Sequence, residues 1–333
     1  MRIVTPLPNH EYYEPLVEAG AGEFYCGYIP FEWLRRYVNV MPGDRREFLL
    51  VTGTFTSMSS MKILARKIER FKVPVKITLN AHFYTLEQYP LLLDNMRRLM
   101  DLGIDTFIVA DVAFVLYLRE QNVGCNIHLS GEAGALNHSS HAFFRQFDIS
   151  RYIFPRKTDV VDIAACIESN NYDGMEYEAF VLNSLCSYSG AYCNTIHCEE
   201  MLPICYAPYR TARVEESSQQ FTEIGETLKV IRQLRDESAS GAIQLKGKQQ
   251  AYTGLGSSGC GLCKIKELLD VGVTHLKVVG RDVRNLEQLK HDLASIHALE
   301  QLARKGIDYD AFEQTVKEDY LHHKCSNCYY PGR

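Results

Sequence analysis

The sequence predicts an α/β fold, a TIM-type (β/α)8 barrel. Three observations predict it. Eight short apolar runs alternate with amphipathic segments in a β-then-α rhythm, the mark of parallel βαβ units. Gly20, Gly103 and Gly272 each stand shortly before the next apolar run, where a left-handed cap closes a helix. The 333 residues exceed one average domain but suit one barrel, typically ~250 residues, with an insertion and a tail. An open doubly wound sheet shares this rhythm and is the alternative.

The strands are expected at 2–6, 23–28, 75–81, 106–111, 126–130, 151–155, 175–181 and 275–280, each a short run rich in branched or aromatic residues. Helices are expected at 61–71, 91–102, 112–121, 139–147 and 160–170, where apolar residues recur at helical spacing. Three phrases repeat one design: Glu18-Ala-Gly-Ala-Gly-Glu-Phe-Tyr, Asp101-Leu-Gly-Ile-Asp-Thr-Phe-Ile and Asp270-Val-Gly-Val-Thr-His-Leu-Lys. The rhythm breaks at 186–264, a cysteine-rich stretch with one good helix at 221–236. It reads as an insertion between the seventh and eighth strands, over the C-terminal face where barrels build their sites. The organisation is therefore 1–185, barrel strands one to seven; 186–264, the insertion; and 265–333, the last unit with helices at 286–305 and 309–320. The ending His322-His-Lys-Cys-Ser-Asn-Cys-Tyr-Tyr reads as a solvated polar tail.

Composition removes several classes. With 46% hydrophobic and 23% charged residues the chain is an ordinary globular protein, not a disordered one. A net charge of -5 argues against a broad nucleic-acid surface, though not against a local basic patch. No run of ~18 apolar residues predicts a membrane span, and the start has no apolar signal region. A cytoplasmic location is expected, where cysteines serve as thiols, metal ligands or catalysts.

The 11 cysteines are the strongest chemical signal. Cys26, Cys125 and Cys166 are scattered and read as small core residues. Cys186, Cys193, Cys198 and Cys205 crowd one window, and Cys260/Cys263 and Cys325/Cys328 form two C-x-x-C pairs. Clustered thiolates select zinc or an iron–sulfur cluster. A zinc site would draw on Cys260, Cys263, Cys325 and Cys328, and the protein would then be a zinc-stabilised binding or assembly module. Gly254-Leu-Gly-Ser-Ser-Gly259 fits G-x-G-x-x-G but lacks a preceding strand, so it reads as a loop. There is no Gly-x-Ser-x-Gly elbow and no His-Glu-x-x-His motif.

Glu178-Ala-Phe-Val-Leu-Asn-Ser-Leu-Cys186, followed by Cys193, resembles the signature of the collagenase-like U32 peptidase family. Cys205-Tyr-Ala-Pro-Tyr-Arg, Leu262-Cys263 with Glu267 to Arg281, Ile127-His-Leu-Ser130 and Phe154-Pro-Arg156 resemble its other blocks. Asn183 stands for the signature glycine, Gly190 is displaced by one position, Tyr209 replaces a cysteine and Val279 a glutamate, which marks a divergent branch. The resemblance implies a barrel carrying a [4Fe–4S] cluster on Cys186, Cys193, Cys205 and Cys263. It further implies oxygen-independent hydroxylation of a small molecule, an RNA base or a peptide, with prephenate the hydroxyl source in some members. Proteolysis is the alternative activity, and a paralogous protein partner is plausible for the family.

Strand ends supply the remaining candidates. Glu178, His128, Arg156 and Arg281 are expected to be catalytic. Asn80, His82, Asp111, Ser130 and Glu132 are expected to bind substrate at the barrel mouth. Two arginines on one pocket suit a carboxylate or phosphate.

Overall fold

The computed structural model describes residues 1–37, 54–170, 172, 174–186, 190–193, 254–280, 285–321 and 327–331. Its strands are β1 (Arg2–Pro6), β2 (Glu23–Tyr28), β3 (Thr54–Phe55), β4 (Val75–Leu79), β5 (Thr106–Val109), β6 (Asn126–Leu129), β7 (Ile149–Ile153), β8 (Glu176–Leu182) and β9 (His275–Val278). All their mutual pairings are parallel. The order β1-β9-β8-β7-β6-β5-β4-β2 returns to β1 through the β1–β2 pairing, so eight strands close a barrel. Closure settles the choice against an open sheet. β3 is a ninth, two-residue strand on the end of β2, too short to be read from sequence.

Helices α1 (Tyr13–Glu18), α2 (Phe31–Tyr37), α3 (Met58–Phe71), α4 (Tyr89–Met100), α5 (Val112–Glu120), α6 (His138–Arg145), α7 (Val160–Ser169) and α8 (Ile265–Asp270) lie between strands. α9 (Leu286–Ala303) and α10 (Tyr309–Thr315) follow the last strand. α3 shows why such segments form where they do. Ser57 caps its start by accepting from the Ser59 N–H, and Lys72 ends it in a left-handed conformation. Met61 and Leu64 are buried while Lys62, Arg66 and Glu69 face outward, which is the amphipathic stripe. Gly20, Gly103 and Gly272 adopt φ of +97°, +79° and +97°, the left-handed closures expected of them.

The apolar core lies between the outer faces of the strands and the helices, with Cys26, Cys125 and Cys166 buried in it. The barrel interior is different, because several of its side chains carry charge.

Two expectations on position change. The strand expected at 151–155 is β7 and starts at Ile149, two residues early, because Ile149 and Arg151 pair with β6. The tail is not solvated where it is described: Tyr329 and Tyr330 are 1% and 5% exposed. The predicted helix at 221–236 lies outside the described residues, as does most of the insertion. No helix of the described residues is long and apolar enough to cross a membrane.

Candidate active site at the barrel mouth

Alternation along each strand sends every second residue into the barrel. Glu23, Arg151, Glu176, Glu178, His275, Lys277 and His128 therefore meet in its interior. Arg151 is the hub. Its Nη1 donates to Glu23 Oε1 at 2.6 Å and Glu178 Oε2 at 2.7 Å, and its Nε and Nη2 donate to Glu176 Oε2 at 2.9 and 2.7 Å. Lys277 Nζ donates to Glu178 Oε1 at 2.5 Å.

Glu178 is fully buried. Burial alone would raise its pKa, but the Lys277 ammonium and the Arg151 guanidinium hold it at about 2. Burial also depresses His128 and His275, His275 to about 4, and the neighbouring Arg151 adds to both. Both rings are therefore neutral at pH 7.

His128, Glu23 and Glu178 bring one ligand-type atom each to within 4.8 Å of one another. The Arg151 and Lys277 cations already occupy those carboxylates, so a dication would be set against two positive charges. The trio is a salt-bridge core rather than a metal site. Glu178 and His128 thus sit below the mouth, enclosed, and not at its rim.

The rim is built by loops after the strands. Ser130 caps the short turn Gly131–Ala133 by accepting from the Glu132 N–H, and this presents Glu132 inward. Glu132 Oε1 accepts from Arg156 Nη1 at 2.9 Å, and His82 Nε2 lies 3.6 Å from Glu132 Oε2. The Arg156 guanidinium also sits 4.7 Å above the Phe180 ring. Burial opposes its charge, but Glu132 first, then Tyr329 and the Cys186 thiol, keep the arginine firmly protonated. Its Nε–H is buried with no hydrogen-bond partner among the described residues. An arginine held by one carboxylate, with a donor to spare, can take an anionic ligand.

Gly190 explains a departure from the signature. A Cβ there would lie 1.7 Å from Glu132 Oε2, so the displaced glycine makes room for the carboxylate that holds Arg156. Asn183, standing for the other glycine, has φ +71°, a left-handed conformation asparagine tolerates.

Cys186 follows β8 and is half-buried; Cys193 follows the turn Gly190–Tyr192 and is buried; Cys263 lies half-buried in the turn Leu262–Lys264. Asn80 is half-buried just past β4. Asp111 does not reach into the mouth. Its carboxylate caps α5 through the Ala113 N–H and accepts from the Tyr84 N–H and the Tyr89 hydroxyl, which uses it up structurally. Cys205, Arg281, Cys198 and Cys325 lie outside the described residues. Sequence reading missed Glu23, Arg151, Lys277 and His275. The signal was there: polar residues in phase at every second position of strands buried on both faces must face one another.

The fold is a closed α/β barrel, and this rim of polar side chains lies at its C-terminal face, the end where such barrels place their sites. The chain belongs to peptidase family U32, whose model matches residues 9–332. It is 31% identical over 97 residues to the tRNA hydroxylation protein P of Escherichia coli (strain K12), a match covering 29% of this chain and 21% of that protein. The tRNA hydroxylation protein P of Haemophilus influenzae is 30% identical over 97 residues, with the same shares covered. The matched stretch is thus about a fifth of the length of these relatives. The solved U32 peptidase Mk0906 aligns over 85% of this chain and 94% of its own, at 9% identity and a TM-score of 0.48.

Proposed function

We propose that this chain is an iron–sulfur enzyme of the U32 family that hydroxylates its substrate without oxygen, with an RNA base as the substrate class. The observation that carries the reading is Arg156, a half-buried cation whose Nε–H is buried and unpartnered, set electrostatically beside the Cys186 thiol. Cys186, Cys193, Cys205 and Cys263 would hold a [4Fe–4S] cluster. The donor set fits, because thiolates are soft ligands and Arg156 offsets part of the negative charge they gather. When bound, the cluster would supply a redox-active iron centre at the mouth.

The protein's own groups do the rest. Arg156 binds and orients a carboxylate-bearing co-substrate that delivers the hydroxyl, and Glu132 holds the arginine in place. His82, beside Glu132, is within reach to hold a proton. Phe83 and Tyr192, 67% and 71% exposed, directly follow His82 and precede Cys193. Exposed rings so placed suit stacking on an unpaired base. The similarity to tRNA hydroxylation proteins favours RNA over a peptide. In this reading Glu178 and His128 position the barrel interior and do not touch substrate.

The test is metal and sulfide analysis of anaerobically purified protein, followed by nucleoside mass spectrometry of RNA from cells with and without the gene. Iron and sulfide are expected, with iron falling in Cys186→Ala and Cys263→Ala. A nucleoside gaining one oxygen should vanish in Arg156→Ala. Protein without iron after anaerobic reconstitution overturns the cluster. Peptide cleavage with unchanged RNA would restore the peptidase reading.

A further inference from the structure

The segment Asn327–Pro331 is a strap laid across the barrel mouth. The Cys260 N–H donates to Asn327 O at 2.9 Å, and the Tyr329 N–H donates to Cys260 O at 2.8 Å. Asn327 Nδ2 donates to Ser257 O at 2.9 Å. Tyr330 Oη donates to Phe180 O at 2.9 Å, and the Tyr329 hydroxyl donates to Asn183 O. The Tyr329 ring stacks on Phe180 with centroids 5.9 Å apart. That is the ring beneath Arg156, so the strap forms part of the wall behind the arginine.

This hydrogen bonding has a chemical consequence. Cys260 and Cys328 are partners in a parallel bridge. Paired residues of a ladder lie about 4.8 Å apart and project to one face, inside the ~4.4–6.8 Å window in which Cα atoms can be bridged by a disulfide. Cys260 is 2% exposed, whereas Cys328 is half-buried. The Tyr330 N–H donates to Cys328 Sγ at 3.3 Å, a contact that stabilises sulfur bearing negative charge. One cysteine of the pair is partly exposed and the other is buried.

We propose that Cys260 and Cys328 are a site of reversible oxidation, closed by a peroxide and reopened by a dithiol, which staples the strap to the mouth. The Cys328 thiolate attacks the peroxide. An S–O bond forms, the O–O bond breaks, and hydroxide leaves and takes the proton of Cys260 to become water. The Cys260 thiolate then attacks the sulfenic sulfur. The S–S bond forms, the S–O bond breaks, and the departing hydroxide is protonated to a second water. Two thiols lose two electrons to one peroxide. The zinc assignment to the two C-x-x-C pairs competes for the same sulfurs. Among the described residues, however, Cys260, Cys263 and Cys328 do not come together as a trio within 4.8 Å, while Cys260 and Cys328 are paired directly. The inference does not depend on the cluster.

The test uses the full chain, purified anaerobically and titrated with hydrogen peroxide. It is then alkylated, digested without reduction and sequenced by fragment ions to assign the sulfurs. A Cys325→Ser background keeps the terminal peptide unambiguous. The expected product is a Cys260–Cys328 linked peptide at substoichiometric peroxide, lost on adding dithiothreitol and absent in Cys328→Ser. Hydrogen exchange at Asn327–Pro331 should slow several-fold on oxidation and stay unchanged in Cys328→Ser, whose folding is checked by thermal melting. Linkage through Cys263 instead, no linkage at stoichiometric peroxide, or sulfurs freed for alkylation only when a chelator removes zinc would each overturn the proposal. Iron is measured in the same preparation before peroxide is added. Linked peptide without iron overturns the cluster alone, and iron without linkage overturns the pair alone.

Discussion

Glu178 is a carboxylate that is fully buried and still ionised, because two cations, Lys277 and Arg151, touch it. Replacing it by glutamine leaves Lys277 and Arg151 short of one counter-charge in a closed barrel. Breaking a buried pair in this way costs about 3–5 kcal/mol, so Glu178→Gln should lose that much in urea unfolding at neutral pH. His275 shares the pH dependence with His128 and His141, whose pKa values burial also depresses. The folded pKa of His275 is about 4 against an ordinary 6.5, so the unfolded chain binds the proton that the folded chain refuses. Stability is therefore complete above pH 6.5 and falls as pH drops toward 4. His275→Gln should make that slope shallower, removing one histidine's share, on the order of 3 kcal/mol. An equal slope in the variant would move the effect to His128 or His141, whose pKa values are also depressed by burial.

At the scale of elements, the end of β8 decides most of the site. Asn183 turns the chain out of the strand at φ +71°, and its Nδ2 donates to buried Asp292 Oδ2 at 2.8 Å. Its N–H donates to Gly259 O at 2.7 Å. One residue thus ties β8 to α9 and to the loop before Cys260. Asn183→Ala loses the bond to Asp292, about 1–3 kcal/mol, and keeps a Cβ in a left-handed conformation. Asn183→Gly loses the same bond but relieves the backbone. Chemical denaturation should rank the wild type above Asn183→Gly and Asn183→Ala last. A glycine variant as weak as the alanine would show that backbone conformation contributes nothing here.

The whole molecule is closed twice, once by the β1–β2 pairing and once by the strap over the mouth. Deleting 327–333 would uncover the surfaces beneath Tyr329 and Tyr330 and strip the ladder from Cys260. Removing one large buried aromatic costs ~3–5 kcal/mol, so the deletion should lower the melting temperature strongly. A truncated chain melting with the full one would show that the strap is not part of the folded unit.

The strands, the outer helices and the glycine closures were legible in the sequence, because periodicity and capping are local properties. The loop reading of Gly254 to Gly259 was legible too, because no strand pattern precedes it. The sequence by itself determined an alternating β/α chain with clustered cysteines, while closure into a barrel came from the pairing of β1 with β2. Only the tertiary structure decided that Glu178 and His128 lie inside, that Asp111 caps a helix, and that the last residues bring Cys328 to Cys260. Those outcomes depend on strand register and closure, which join residues more than a hundred positions apart through burial and charge. A linear pattern states which side chains can meet, but the shared interior of the barrel selects which ones do.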